Sequence, residues 1–238
     1  MATVESVLAE LKALGSEKTA ATYVRHGMPA GRVYGVSVAN LKVVAKSIKR
    51  QQALAMELYA TGIMDAMYLA GMVADGSEMT VAQLEAWAEG SAGMNMIAEY
   101  TVPWVTVENV AAVELANRWI DSGKDHVASA GWATWSGLVS TKPDAELDRV
   151  AISELLEGIP RRIASAPNRT RAAMNSFVIC VGSYVEPLLG KALEVAARLG
   201  KVPVDVGDTA CKIPLASEYI AKVQGMGRVG LKKKTIRC

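Results

Sequence analysis

Apolar residues recur along most of this chain at three- and four-residue spacing, the period that puts them on one side of a helix. In ESVLAELKAL (5–14) the repeating positions are Val7, Leu8, Leu11 and Leu14. Ser37 precedes VANLKVVAKSIKR and is a predicted N-cap, and Lys46, Lys49 and Arg50 suit the negative end of that helix dipole. Thr80 and Gln83 have the spacing of a capping box in TVAQLEAWAEG, with Gly90 as the stop. Val110, Val113, Ala116 and Ile120 predict a further amphipathic helix across Val107–Ile120. Asp125 opens DHVASAGWATWSGLVS, and Pro143 with Asp144 restarts the chain as PDAELDRVAISELLEG. Asn168 is placed to cap RTRAAMNSFVICVGSY, while Pro187 and Pro214 stand near the starts of two later helices. Only KVPVDVGDTA (201–210) reads as extended, too short and isolated to make a sheet. Helix after helix joined by short turns predicts an all-α fold, an α-solenoid or superhelix of degenerate helical pairs. No linker divides the chain, so residues 1–238 are expected to form one domain, with 222–238 as a basic tail.

Composition narrows the classes. Hydrophobic residues make up 51% of the chain, yet no run of about 18 apolar residues appears, so no membrane association is expected. Glu5 and Glu10 interrupt the apolar positions of the N-terminus, which does not read as a signal peptide, and a cytoplasmic location is expected. Cys180, Cys211 and Cys238 form neither a CxxC pair nor a disulfide framework. With only two histidines, His26 and His126, a metal site is not expected; Cys211 with Cys238 would be a poor one. Nor is a cofactor.

Net charge is +2, but its distribution is uneven. Residues 1–50 hold 8 basic and 3 acidic side chains, 51–160 hold 4 and 16, and 161–238 hold 14 and 5. Both ends suit a polyanion and the middle repels one. The last 17 residues carry six basic side chains and no acidic one, as a solvated terminus or a phosphate-contacting arm.

Walker A, HExxH and GxSxG signatures are absent. NRTRAAMNSFVICVGSYV (168–185) is more informative. Arg169 and Arg171 fall in the first turn of a predicted helix, where the dipole disfavours cations, and an anion near that helix start would account for both. Phe177, the only phenylalanine, and Trp132 with Trp135, three apart in GWATWS, read first as core. Trp104 and Glu108, in PWVTVENV, are one helical turn apart. Pro103 sets Trp104 at a loop-to-helix junction, where an indole can stand half exposed.

APNRTRAAMNSFVICVGSYV, KVPVDVGDTACKIP and the terminal GRVGLKKKTIRC together resemble the DNA alkylation repair family, the HEAT-like repeat alkylpurine DNA glycosylases and their relatives, in a divergent branch. The likeness runs from about Tyr23 to the C-terminus. It implies an all-α superhelix whose basic face holds duplex DNA, and hydrolytic excision of N3- or N7-alkylated purines. Cleaving the glycosidic bond builds positive charge on the sugar, which a fixed carboxylate and aromatic faces stabilise. The resemblance places Trp104, Glu108 and Phe177 at the catalytic positions and Tyr23 at the DNA surface. Phosphate contacts would come from Arg169, Arg171, Lys212, Arg228, Lys232, Lys233 and Lys234. Three departures stand against catalysis. Glu108 replaces an aspartate and reaches one methylene further, and a misplacement of about 1 Å can cost about 100-fold in rate. Phe177 replaces a tryptophan, and a supporting arginine expected near Ser129 is missing. The alternative is a non-catalytic helical-repeat module that binds nucleic acid or protein. The expected partner is alkylated duplex DNA, bound by a monomer.

Overall fold

A computed structural model describes residues 2–49 and 51–237. Arg50 and Cys238, both named above, lie outside the described residues. Every regular element among those described is helical. The chain groups into two compact units, Met1–Leu115 with Val206–Ala210 and Arg237–Cys238, and Ala116–Asp205 with Cys211–Ile236.

The first unit contains α1 (Val4–Leu14), α2 (Glu17–Arg25), α3 (Val38–Ser47), α4 (Gln52–Ala60), α5 (Met64–Val73), α6 (Val81–Gly90) and α7 (Val102–Thr106). Its helices start where short polar side chains satisfy the first free amides. Thr3, Ser16, Ser37 and Thr80 accept from Ser6, Thr19, Asn40 and Gln83 respectively, and Gln83 completes the predicted box with Thr80. Helix α3 ends at Ser47, so Lys49 lies beyond it rather than on its last turn. Helix α5 forms the centre of this unit, with Met64, Met67, Leu69 and Ala70 almost fully buried. Tyr59 of α4 stacks on Trp87 of α6, ring centres 3.9 Å apart, and its hydroxyl donates to the Trp87 carbonyl.

Val107–Ile120 departs from the expected single helix. The chain turns through 107–111, α8 (Ala112–Ile120) begins only afterwards, and Val110 is fully exposed. Glu108 and Asn109 end the helix because their side chains bind another segment, as described below.

The second unit contains α9 (Asp125–Thr141), α10 (Arg149–Arg162), α11 (Asn168–Tyr184), α12 (Leu189–Leu199) and α13 (Ala216–Gly225). Helices α9 and α11 pack along each other, and α11 also meets α12 and α13. Small residues allow this closeness: a Cβ on Gly182 of α11 would stand 2.6 Å from Ile220 of α13. Asn168 is not the cap of α11. Pro167 occupies that position, and the Asn168 amide instead brackets Asp205, donating to its carbonyl and accepting from its N–H, both at 2.8 Å. The stretch 201–210, expected to be extended and too short for a sheet, carries no helix or strand, and that bracket helps hold it.

Two tyrosines, Tyr59 buried and Tyr23 half-buried, should make the fold sensitive to alkali. Burial raises the pKa of Tyr23, whose hydroxyl donates to the Val36 carbonyl at 2.8 Å, and the charge of Asp65 raises it further. Burial pushes Tyr59 up more strongly, with Arg32 opposing. Above the ordinary value of 10.0 the unfolded chain loses these protons first, so it binds fewer protons than the native state. The tyrosines' contribution to stability is therefore complete below about pH 10 and declines as pH rises through the native pKa values. Tyr59→Phe loses the hydroxyl's bond to Trp87 at every pH. The gap between its denaturation midpoint and that of wild type should therefore be constant from pH 8 to about 10 and change only at the alkaline end.

Candidate functional site

Trp104 is core. The backbone widens just before it, where the Val102 N–H donates to the Ile97 carbonyl across an i→i+5 turn. Pro103, which has no N–H to donate, follows at the start of α7. This turn carries Trp104 inward to 2% exposure, edge-on to Tyr68 at 4.9 Å and tilted against Tyr100 at 6.4 Å. The half-exposed indole expected at a loop junction is thus replaced by an indole inside a continuous helical turn.

Glu108 lies one turn on but outside the core, with 37% of its side chain exposed. Its Oε1 accepts from Arg237 Nε at 2.9 Å, and its Oε2 accepts from Arg237 Nη2 and from the Gly76 N–H at 3.0 Å. The third guanidinium nitrogen donates to the Gly71 carbonyl at 2.8 Å. Asn109 completes the connection: its Nδ2 donates to the carbonyls of Gly76 and Met79, both at 2.8 Å. Only glycine fits at position 76, since a Cβ there would overlap the Val105 carbonyl. The carboxylate is thus held by a planar fork and a backbone amide, the geometry of a strong charge-assisted pair. Arg237 stands 129 residues from Glu108, and no local spacing signals it. Arg237→Ala should lower stability by about 1–2 kcal/mol, because it leaves a partly buried carboxylate with one donor instead of three. Urea denaturation reads that loss, and Arg237→Lys, which cannot form the fork, should restore less than half of it.

Phe177, in the second unit, is completely buried. Trp132 lies 5.2 Å and Trp135 6.4 Å from its ring, so the three aromatic residues form one cluster between α9 and α11. Trp135 also donates its indole N–H to Asn117 at 3.1 Å. Ser129 is buried and its hydroxyl donates to the His126 carbonyl.

The start of α11 holds an internal anion. The Asp125 carboxylate accepts from the Arg169 N–H at 3.0 Å and the Thr170 N–H at 2.8 Å, and from the Thr170 hydroxyl at 2.8 Å. It therefore satisfies the start of α11 from the first turn of α9. The Arg171 guanidinium donates to the carbonyls of Ala166 and Pro203, at 2.7 and 3.4 Å. Lys212, Arg228, Lys233 and Lys234 are exposed. Lys232 is half-buried, ion-paired with Asp144 at 2.8 Å and donating to the Val139 carbonyl at 2.9 Å. Lys233 stands 5.2 Å above the Tyr184 ring, and its backbone N–H donates to Ser140. Gly230 donates to Ser183. These bonds fix the segment 230–233 onto α9 and α11, where a frayed end was one of two expectations. Tyr23 is half-buried, its hydroxyl taken by Val36.

Among the described residues no cluster of three or more His, Cys, Asp or Glu side chains could hold a metal ion. Cys211 is exposed. No single helix there is long and apolar enough to cross a membrane.

Helix packed on successive helix, with no strand among the described residues, defines an all-helical protein of the helical-repeat class. A family described as DNA alkylation repair enzyme matches residues 7–219, and the chain belongs to that family. It is 37% identical to a solved structure from a new family of proteins related to the HEAT-like repeat DNA glycosylases with affinity for branched DNA structures. The two match over 100% of both chains with a TM-score of 0.91, so the fold is that of the HEAT-like repeats. The uncharacterized protein Lin0241 of Listeria innocua is 31% identical over 94% of this chain and 98% of its own. Uncharacterized protein Lmo0209 of Listeria monocytogenes is 30% identical with the same coverage.

Proposed function

We propose that this chain acts in the cytoplasm as a single monomeric domain that binds DNA, prefers branched over linear duplex, and does not excise bases. The observation that carries this reading is the occupation of the catalytic positions. Trp104 and Phe177 are 2% and 0% exposed, and both oxygens of Glu108 already accept hydrogen bonds. Neither aromatic face is open to a nucleotide backbone, and the carboxylate's charge is matched by Arg237. Binding draws on the exposed cations Lys212, Arg228, Lys233 and Lys234, each a phosphate contact that releases counterions. Arg169, Lys232 and Tyr23 contribute less, and Arg171 is a strut of its own loop. The affinity of the 37%-identical neighbour for branched DNA supports the choice of ligand.

Excision of an alkylated purine through Glu108 is the second reading, favoured by the exposed part of its side chain. One experiment separates the two. Release of methylated purine from N-methylated duplex is measured beside binding of a four-way junction and a linear duplex at two salt concentrations. Salt-sensitive binding that favours the junction, with no base released, is the expected result. Release that Glu108→Gln abolishes would replace it with the glycosylase reading.

A further inference from the structure

We infer that the outer face of α13 and the turn after it form a stacking surface for the unstacked bases of a DNA branch point, an inference that rests on the proposed binding of branched DNA. Helix α13 buries Ala216 and Ile220 against its own unit. Tyr219, Lys222 and Met226 recur at three, four and seven residues along its other side, so they form one stripe. Tyr219 is 47% exposed, Met226 55% and, beyond the turn, Leu231 59%. Single exposed apolar side chains are ordinary, but three clustered in one short segment mark a surface suited to a partner.

Charge identifies that partner. Segment 211–236 carries six basic side chains against the single acidic Glu218, so an anionic ligand is complementary and a basic one is repelled. Lysines and arginines reach phosphates, but a tyrosine ring and a thioether gain nothing from a sugar-phosphate backbone. Base faces are what they fit, and a regular duplex hides those faces in its stack. At a branch point the stack is interrupted and the faces open. Apolar side chains set among cations therefore discriminate branched from linear DNA, while the cations alone do not. The surface is also preformed. The Arg228 N–H donates to Val223, Leu231 donates to Arg228, and Gly230 donates to Ser183 of α11, so Leu231 is held beside α13 before DNA arrives.

The test compares wild type, the double variant Tyr219→Ala with Met226→Ala, and Tyr219→Phe. Each is titrated against a four-way junction and a linear duplex of the same length, with 2-aminopurine at the junction centre. All the replaced side chains are exposed, and unchanged melting temperatures confirm folding. The double variant should lose about tenfold or more in junction affinity and stay within about twofold on the duplex. Its 2-aminopurine signal should stay unquenched, and Tyr219→Phe should behave as wild type. Lys233→Gln with Lys234→Gln should weaken both ligands alike. If wild type prefers the junction and the double variant keeps that preference, the stacking surface is wrong while the DNA reading stands. Loss of self-association or of anionic-vesicle binding, with junction preference intact, assigns the stripe to those occupants and overturns the inference. If wild type shows no junction preference, the proposed function itself fails.

Discussion

Truncating Trp104 to alanine should cost the fold about 3–5 kcal/mol, and truncating Phe177 about the same. In a chain of this length that corresponds to a fall of roughly 10 °C in melting temperature. Both side chains have almost no contact with solvent and both sit in aromatic clusters, so removing either leaves a large cavity and forfeits edge-to-face contacts. A residue serving chemistry behaves differently: it loses activity at nearly constant stability. DNA binding measured well below the lowered melting point should therefore survive Trp104→Ala. Phenylalanine at position 104 should recover about half of the stability, since it refills part of the space beside Tyr68. A melting temperature within a degree or two of wild type, with junction binding lost, would return Trp104 to the ligand.

The contrast between Trp104 and Glu108 shows how far local pattern reaches. Helical periodicity, the Thr80–Gln83 box and the Ser37 cap depend on neighbours three or four residues away, and these expectations match the structure. Neighbours also establish that Trp104 and Glu108 are one turn apart. They do not reveal that the widened turn sends the indole inward, nor that Glu108 meets a guanidinium 129 residues downstream. The same limit applies at α11. Two arginines in a first turn suggest an anion, and the helix start does hold Asp125, 44 residues earlier. It is held on backbone amides and Thr170, a contact that sequence, placing Asp125 only as the opening of its own helix, does not reveal. Asn168 was misplaced for a related reason, because a distant backbone pair outcompetes the local cap. The Phe177 cluster was legible as core because Trp132 and Trp135 show their common face by spacing alone. The family was legible in the last 80 residues, whereas the chemistry depends on contacts that no short segment contains.

The other large effect falls on a carboxylate that no motif marks. Asp65, in the first turn of α5, is fully buried and accepts from the backbone N–H groups of Tyr34 and Val36 at 2.6 and 2.7 Å. Between these residues Gly35 has φ +78°, and a side chain there would collide with Ser16, so the loop cannot relax around a lost partner. Asp65→Ala leaves two amides without acceptors. At about 1–3 kcal/mol for each, the loss should total about 3–5 kcal/mol. Asp65→Asn keeps one acceptor but turns an NH₂ toward the other amide, so it should recover at most half. Hydrogen exchange locates the cost: the Tyr34 and Val36 amides should lose protection in both variants, ahead of the α5 amides. The effect then extends along the loop, because Val36 accepts the Tyr23 hydroxyl and Ser37 caps α3. Tyr23 loses its fixed partner when the loop shifts, so any contact it makes in the proposed DNA complex should weaken in Asp65→Ala, while those proposed for Lys233 and Lys234 persist. Protected Tyr34 and Val36 amides in a destabilised Asp65→Ala protein would mean that water or another group replaces the carboxylate, and that the cost arises from the cavity instead.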